Sequence, residues 1–438
     1  MTFEMMSWRS KRIVSAAGIS AAFLLAACAT APVAMEDDTR LTFSADGLAT
    51  LDAAMEKAVT EGEVYGLSYV LAQGGETVAA NHFGVQNLMS QTPLDEDTIF
   101  RIYSMTKPVT GVAMMQLYEQ GLWDLDDPVT KHVPEFANLR VLKSQKDDGT
   151  PVMVAANRAP TMREVMNHTA GFAYGLAGTD YANEAFRSRE IMGSPDLETF
   201  IQKTADVPLL FQPGERWAYS AAVDVQGYIV QKLSGQKFSE YLDEHIFTPL
   251  NMDDTGFYVP ADDYSRFSDV FGLDPKSGKL FPIPTPGVAF KKETIAMESG
   301  GGGLVATIGD YANFCQMLVD EGSFNGHQIL KPETVQLMAT NTLAEGMDIL
   351  STGDLGAQGR GGHGFGLDFA VIYDAEKAGT PQPDGTYYWG GAAGTWFWID
   401  PVNDLYFIGM IQRFGMGASE GYQPSRVSVT DVYGALEK

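Results

Sequence analysis

Cysteine, histidine and basic residues are scarce in this chain, and each shortage excludes a class of protein. Two cysteines in 438 residues cannot build a framework of several disulfide bonds. The six histidines show no paired metal-ligand spacing, so the sequence predicts no metal centre, and no motif implies a cofactor. Lysine and arginine number 30 against 56 acidic residues, and this net charge of −26 excludes a nucleic-acid partner.

Long hydrophobic runs are also missing, apart from one near the N-terminus. Residues 13–27 follow three basic residues and end in Leu-Ala-Ala before Cys28. The run is shorter than the ~20 apolar residues that span a bilayer, so residues 1–27 are typical of a signal peptide rather than a stop-transfer helix. Its end resembles the lipobox of bacterial lipoproteins, which implies cleavage before Cys28 and lipidation of that residue.

Lipidation would anchor the mature chain to a membrane. Residues 28–44, with Pro32 and several acidic residues, are typical of a tether. By the lipoprotein resemblance, Ala29 favours the periplasmic face of the outer membrane. Cys315 would then be the remaining free thiol, and its amphipathic surroundings predict a small buried hydrophobic residue.

The periodicity predicts an α/β (α+β) fold with a central antiparallel sheet flanked by helices. Strand patterns near both ends enclose a mainly helical region, so one domain is expected over 45–438, with sheet-forming parts at about 45–103 and 290–438 and an inserted helical part at about 104–289. Helices are predicted at 45–61, 104–120, 161–167, 197–204, 221–234, 309–320 and 427–436. Strands are predicted at 67–71, 77–83, 365–373, 387–391, 396–399 and 405–412.

Ser104 and Lys107 form a Ser-x-x-Lys pair where an extended stretch gives way to a helical pattern. A serine at a helix start lies near free backbone N–H groups and the positive end of the helix dipole, which favours a nucleophile. Lys107 is about one turn away on the same face, so its amine can approach the hydroxyl and accept its proton. The same spacing at Ser234 and Lys237 lies at a predicted helix end, where serine and glycine are caps.

Tyr219 lies in a turn-like segment just before the predicted helix 221–234. A tyrosine at that place can project its hydroxyl into a cleft. A phenol is a poor base unless a neighbouring ammonium, such as that of Lys107, stabilises the phenolate. The plainer alternative is an ordinary aromatic residue at a helix boundary.

A glycine-rich segment, 388–395, is bracketed by strand patterns. Glycine in a strand marks a close approach of the backbone, and an open edge there can present an N–H to a substrate carbonyl. With the N–H of Ser104, such a donor would form an oxyanion hole. The plainer alternative is a tight turn between two strands.

These three elements, in this order and at these separations, resemble the serine β-lactamase and penicillin-binding-protein superfamily, and most closely the family VIII carboxylesterases. The resemblance covers about 45–435 and implies a β-lactamase-like fold. It also implies that Ser104 is acylated, that Lys107 and Tyr219 share proton transfer, and that the backbone of Ala392 is the second oxyanion donor. Further segments are similar to those of the family: 167–172, 212–215, 299–304 and 389–401.

Two departures from the family pattern bear on the substrate. Trp389, Gly390 and Gly391 stand where the family has Lys-Thr-Gly, and Ala221 replaces the asparagine of Tyr-x-Asn. Losing a cation and an amide weakens recognition of anionic β-lactams and D-Ala-D-Ala peptides. Trp389, with Trp396 and Phe397 nearby in sequence, favours a neutral apolar group.

We therefore expect a small-molecule substrate, a short-chain carboxylic ester, bound by residues 389–391, Trp396 and Phe397. Transfer of the acyl group to an alcohol instead of water is equally allowed. A β-lactamase or D-alanyl-D-alanine carboxypeptidase is the first alternative. The second is a non-catalytic lipoprotein that binds peptidoglycan fragments, although a pure binder would not need Ser104, Lys107 and Tyr219 together.

Overall fold

The computed structural model describes residues 41–176, 178–274, 276–283, 290–349, 361–415 and 423–437. The predicted signal peptide, Cys28 and most of the tether lie outside these residues, so they stay predictions. Eleven α-helices are seen in the described ranges: α1 (Ala45–Thr60), α2 (Thr106–Glu119), α3 (Met162–Met166), α4 (Tyr181–Ser188), α5 (Leu197–Ala205), α6 (Ala222–Ser234), α7 (Phe238–Leu242), α8 (Ile308–Val319), α9 (Pro332–Met338), α10 (Ala375–Ala378) and α11 (Pro424–Ala435).

One antiparallel sheet organises the described chain. Its eight strands are β2 (Gly66–Gln73), β3 (Glu76–Asn87), β4 (Thr92–Pro93), β13 (His363–Phe365), β14 (Ala370–Ile372), β15 (Tyr387–Gly390), β16 (Trp396–Asp400) and β17 (Leu405–Met410). They lie in the order β13-β14-β15-β16-β17-β2-β3-β4, so the N-terminal strands join the C-terminal ones through the pairing of β17 with β2. The antiparallel sheet flanked by helices that the sequence predicts is confirmed.

Short two-stranded ribbons complete the strands of the described ranges. They pair β1 (Thr42–Phe43) with β18 (Leu436–Glu437), β5 (Phe100–Arg101) with β10 (Val305–Ala306), β6 (Arg140–Gln145) with β7 (Pro151–Ala155), β8 (Phe271–Leu273) with β9 (Leu280–Pro282), and β11 (Ser323–Phe324) with β12 (His327–Gln328). Strand β5 ends three residues before Ser104, so its pairing with β10 fixes where the chain enters the turn that holds the predicted nucleophile.

The sheet separates two hydrophobic clusters. One lies between the sheet and helices α1 and α11, and it contains Trp396 and Trp398 of β16. The other includes α2, α6 and α8 and takes Phe397 and Ile399 from the same strand. Successive residues of a strand point to opposite faces, so this alternation follows from the pleat.

Helix α2, which carries Lys107, is buried on nearly all sides. Eleven of its 14 residues are buried, since it packs against α6 in the centre of the larger cluster. A helix that is apolar all round belongs inside a domain. A polar group on α2 is therefore enclosed by protein rather than by water.

Some predicted elements differ from those observed. The helix predicted at 104–120 starts as a 3₁₀ turn, Tyr103–Met105, and α2 begins at Thr106. The strand predicted at 365–373 is two strands, β13 and β14, because Asp368 adopts φ 63° and turns the chain back. Helices α4 and α9 and the β6–β7 hairpin were not predicted. Among the described residues, no helix is both long and apolar enough to cross a bilayer.

Candidate active site

Ser104 lies in a strained turn between β5 and α2. The preceding residue, Tyr103, has φ 42°, a left-handed conformation that costs a non-glycine residue on the order of 1 to 3 kcal/mol. The N–H of Met105 donates to the carbonyl of Ile102 at 3.0 Å and closes the turn. This leaves Ser104 partly exposed at the bottom of a cleft, while the adjoining helix is buried.

Lys107 is fully buried one turn after Ser104. Its Nζ donates to Ser104 Oγ at 3.4 Å, to the carbonyl of Gly301 at 2.6 Å and to the hydroxyl of Tyr174 at 3.4 Å. Three acceptors surround an amine with at most three protons, so its position is well determined. The Ser-x-x-Lys spacing does bring the two side chains together.

Tyr219 completes the group, 115 residues later in the chain. Its hydroxyl donates to Ser104 Oγ at 2.6 Å, and Lys107 Nζ lies 4.5 Å from its ring centroid. Aromatic rings hold the phenol in place: His168 at 5.3 Å, Tyr174 at 5.5 Å and Trp389 at 5.6 Å between centroids. Both side chains that the sequence predicts for proton transfer therefore reach the same serine oxygen.

His168 lies close to this group but is bonded elsewhere. It is fully buried, and a hydrogen bond of 3.0 Å joins its Nδ1 to Ser220 Oγ. Burial, and then the charge of Lys107, lower the pKa of His168 well below its usual value. The imidazole is therefore neutral and structural, and its bond to Ser220 fixes the segment that carries Tyr219.

The glycine-rich segment is an open strand edge beside Ser104. On one side of β15, Trp389 pairs with Phe397 and Gly390 with Trp396. On the other side, its pairs with β14 involve Tyr387 and Tyr388, so the end of the strand faces the cleft.

Gly391 brings this strand edge against the turn that holds Ser104. A Cβ on Gly391 would lie 2.4 Å from the carbonyl oxygen of Ile102, which shows how closely the two backbones approach. Among the described residues, no hydrogen-bond acceptor is seen for the N–H of Ser104 or of Ala392. Both residues line the cleft, where two free donors can bind a substrate oxyanion.

The three aromatic residues predicted to bind the substrate lie on two different faces of the sheet. Trp389 is 2% exposed, and its ring packs on Tyr219 and Phe365. Phe397 is its neighbour on the same face of the sheet and is buried as well. Trp396 lies on the opposite face, where its indole N–H donates to Ser428 Oγ at 3.3 Å. All three border the cleft, and their contact with a substrate stays a prediction.

The cleft has a volume of about 930 Å³, which is at the upper end of the range for small-molecule sites. Its wall includes Ser104, Tyr174, Leu176 and Leu210. Among the described residues of the wall, the only charged side chain is that of Arg426, on α11. No group of three potential metal-ligating side chains is seen anywhere in the described ranges.

Sequence reasoning missed the buried polar groups behind Lys107. Tyr174, Asp224 and Gly301 have no motif that assigns them a role, although 299–304 resembles a segment of the family. The carboxylate of Asp224 in the apolar stretch 221–225 was the available signal, since a charged residue on a buried helix face needs partners.

Comparison with known proteins identifies relatives that match most of this chain. A family model described as Beta-lactamase matches residues 51–430. Esterase EstB of Burkholderia gladioli is 31% identical over 380 residues, which cover 82% of this chain and 90% of the esterase. Protein Rv1367c of Mycobacterium tuberculosis is 34% identical over 367 residues, covering 82% and 89%.

A solved structure has a similar fold. EstCE1, described as a hydrolase with promiscuous acyltransferase activity, superposes with a TM-score of 0.71 at 26% identity. The match covers 88% of this chain and 98% of EstCE1. The β-lactamase-like fold expected from the sequence is thereby confirmed.

Proposed function

Because the chain belongs to the β-lactamase family and is a serine hydrolase of the carboxylesterase type, close to the family VIII esterases, we propose that it cleaves short-chain, neutral carboxylic esters. The reaction proceeds through an acyl-enzyme on Ser104. The observation that carries this proposal is the convergence of Tyr219 OH, at 2.6 Å, and Lys107 Nζ, at 3.4 Å, on Ser104 Oγ.

The first half of the reaction forms the acyl-enzyme. The pair enters the reaction one proton short, as the neutral amine of Lys107 or the phenolate of Tyr219, and the group that lacks the proton accepts it from Ser104 Oγ as this oxygen attacks the ester carbonyl. The N–H groups of Ser104 and Ala392 stabilise the negative oxygen of the tetrahedral intermediate. The intermediate then expels the alcohol, which leaves with the proton that the pair received.

The second half returns the enzyme to its starting state. A water molecule gives a proton to the same pair and attacks the acyl carbon. The carboxylic acid leaves, and Ser104 Oγ regains its proton. An alcohol that takes the place of this water would yield a new ester, so acyl transfer uses the same site.

The surroundings of Ser104 support a neutral substrate. A buried tryptophan, Trp389, stands where the family pattern has lysine, and Ala221 offers no side-chain amide. The one charged side chain seen among the described residues of the wall, Arg426, is on α11. The amine of Lys107 is taken up by Gly301, Tyr174 and Ser104 itself, so it is not available to pair with a substrate carboxylate. Desolvating a carboxylate there would therefore cost more than binding a neutral ester group.

Ester hydrolysis measured beside β-lactam hydrolysis tests the proposal. The purified protein should hydrolyse p-nitrophenyl acetate and butyrate faster than the octanoate, and a chromogenic cephalosporin slowly. Ser104→Ala should remove the ester activity while the protein stays folded, as judged by circular dichroism. Full residual activity in that variant would contradict the assignment of Ser104.

The same assay decides between the alternatives. Dominant cephalosporin cleavage, or labelling by a fluorescent penicillin with release of D-alanine from a peptide, would favour the β-lactamase or carboxypeptidase alternative. Failure of a fluorophosphonate to label Ser104 would favour the non-catalytic lipoprotein.

We also propose that lipidated Cys28 anchors the enzyme to the periplasmic face of the outer membrane. The sequence before Cys28 supports this proposal. Twelve residues separate Cys28 from residue 41, where the described chain begins. The full chain should fractionate with outer membranes. Cys28→Ser should move the activity out of the outer-membrane fraction, and an unchanged distribution would contradict the anchor.

A further inference from the structure

Asp224 is a fully buried carboxylate that the reaction above does not use. It lies in the first turn of α6, five residues after Tyr219, and faces the glycine-rich segment 299–303. Its Oδ1 accepts hydrogen bonds from Ser299 Oγ and from the N–H of Gly301, the latter at 3.1 Å. Asp224 thus binds the backbone N–H of Gly301.

The carbonyl group of Gly301 binds Lys107. The carbonyl oxygen of Gly301 accepts the shortest hydrogen bond of Lys107 Nζ, at 2.6 Å. One residue therefore connects the carboxylate to the amine, with its N–H bonded to Asp224 and its C=O to Lys107. A displacement of Gly301 would move the acceptor that fixes the amine beside Ser104.

The space around Gly301 is tight as well as polar. A Cβ on this residue would lie 2.7 Å from Asp224 Oδ2 and 2.8 Å from the hydroxyl of Tyr174. Tyr174 is itself 3.4 Å from Lys107 Nζ. Burial raises the pKa of Asp224, whereas the charge of Lys107 and the bonds from Ser299 and Gly301 act in the opposite direction.

We propose that Asp224 is a positioning residue for the reaction: through its hydrogen bond to Gly301 it places Lys107 where the amine reaches Ser104 and Tyr219. Ala221 has no side-chain amide at the position two residues after Tyr219. Asp224, about one helical turn later, instead binds the N–H of Gly301, the residue whose carbonyl accepts from Lys107. The inference rests on the proposed function of Lys107.

The experiment compares two esters. The p-nitrophenolate group leaves without a proton, whereas an alkoxide must be protonated, so only the second ester depends strongly on a well-placed proton donor. We measure kcat and KM for p-nitrophenyl butyrate and for ethyl butyrate, with thermal unfolding of each variant. A displacement of about 1 Å can cost about 100-fold in rate.

Asp224→Ala should lower kcat for ethyl butyrate by about 10- to 100-fold, with KM unchanged and a smaller loss for the p-nitrophenyl ester. Asp224→Asn keeps an acceptor oxygen at the place of Oδ1, so it should recover most of kcat. If the alanine variant fails to fold, Ser299→Ala should show a weaker loss with the same dependence on the leaving group, because it removes one of the two anchors of the carboxylate.

Asp310 provides the matched control. It is also a buried carboxyl group, which accepts from Asp254 N at 2.9 Å and Thr255 Oγ1 at 2.7 Å, and it does not line the cleft. Asp310→Ala should lower the melting temperature without changing the ratio of the two ester rates.

Three results would overturn the positioning role of Asp224: an unchanged kcat for ethyl butyrate, equal losses on both esters, or an asparagine variant as impaired as the alanine variant. Loss of activity in Ser104→Ala is independent of all three. A failure of this inference is therefore distinguishable from a failure of the proposed function.

Discussion

Removing the hydroxyl of Tyr219 isolates its share in proton transfer. The hydroxyl donates to Ser104 Oγ at 2.6 Å, whereas the ring is held separately by His168, Tyr174 and Trp389. Tyr219→Phe therefore deletes one oxygen and keeps the packing. General acid–base catalysis by one positioned group contributes about 10²- to 10⁴-fold, which is about 3 to 5 kcal/mol of activation free energy.

The cost to stability should be much smaller. One hydrogen bond is worth about 1 kcal/mol, so the melting temperature should change by only about 2 to 4 °C. We therefore expect kcat for ethyl butyrate, whose alkoxide must be protonated to leave, to fall at least about 100-fold in a variant that is nearly as stable as the parent. A large fall in kcat with little change in melting temperature cannot come from general destabilisation.

A second half-buried tyrosine controls for the loss of a hydrogen-bonded phenol. Tyr433 donates from its hydroxyl to Asp400 Oδ2 and packs on Trp398 at 5.8 Å, and it is not one of the residues that line the cleft. Tyr433→Phe should keep kcat. If Tyr219→Phe keeps more than about a hundredth of kcat, the minimum loss of about 10²-fold for a proton-transfer group is not met and Tyr219 has no such role.

Two further predictions concern the backbone and the pH dependence of stability. Gly391→Ala would place a Cβ 2.4 Å from the carbonyl oxygen of Ile102, so it should push the strand edge away from Ser104 and lower kcat/KM by about 10- to 100-fold. In Gly390→Ala the Cβ would lie 3.0 Å from its nearest atom, so this control variant should lose less activity. Equal activity in the two variants would contradict a tight approach at Gly391. His168 has a lowered pKa when folded, so the unfolded chain binds a proton below about pH 6.5 that the folded chain does not, and stability should fall as pH falls. Denaturant unfolding at pH 7 and pH 5 should show about 2 kcal/mol of this loss in the parent and not in His168→Asn, and the same loss in both would refute the assignment.

The local parts of the site could be read from the sequence. Ser104 and Lys107 are one helical turn apart, so their proximity follows from helix geometry as soon as the helix is predicted. Tyr219 before α6 and the glycines of 390–391 also have local signals, a turn at a helix start and a strand without bulky side chains. The resemblance to the family then indicated that these distant segments meet.

Contacts between segments far apart in the chain required the tertiary structure. The sequence placed Trp396 beside Trp389 as a substrate-binding residue, whereas the strand register puts these rings on opposite faces of the sheet. The turn at Asp368 was missed because its left-handed conformation is stabilised by packing against α2, where a Cβ on Gly111 would meet its carboxylate at 2.8 Å.

The sequence alone determined the fold class, the family and the identity of the three side chains proposed to act on the ester, because their signals are periodicity and short spacings. Only the tertiary structure decided which residues position the amine of Lys107. Asp224 and Gly301 are 77 residues apart, and their hydrogen bond exists because α6 and the segment 299–303 both pack against α2. Such a contact depends on how the whole core packs, and no local pattern contains that information.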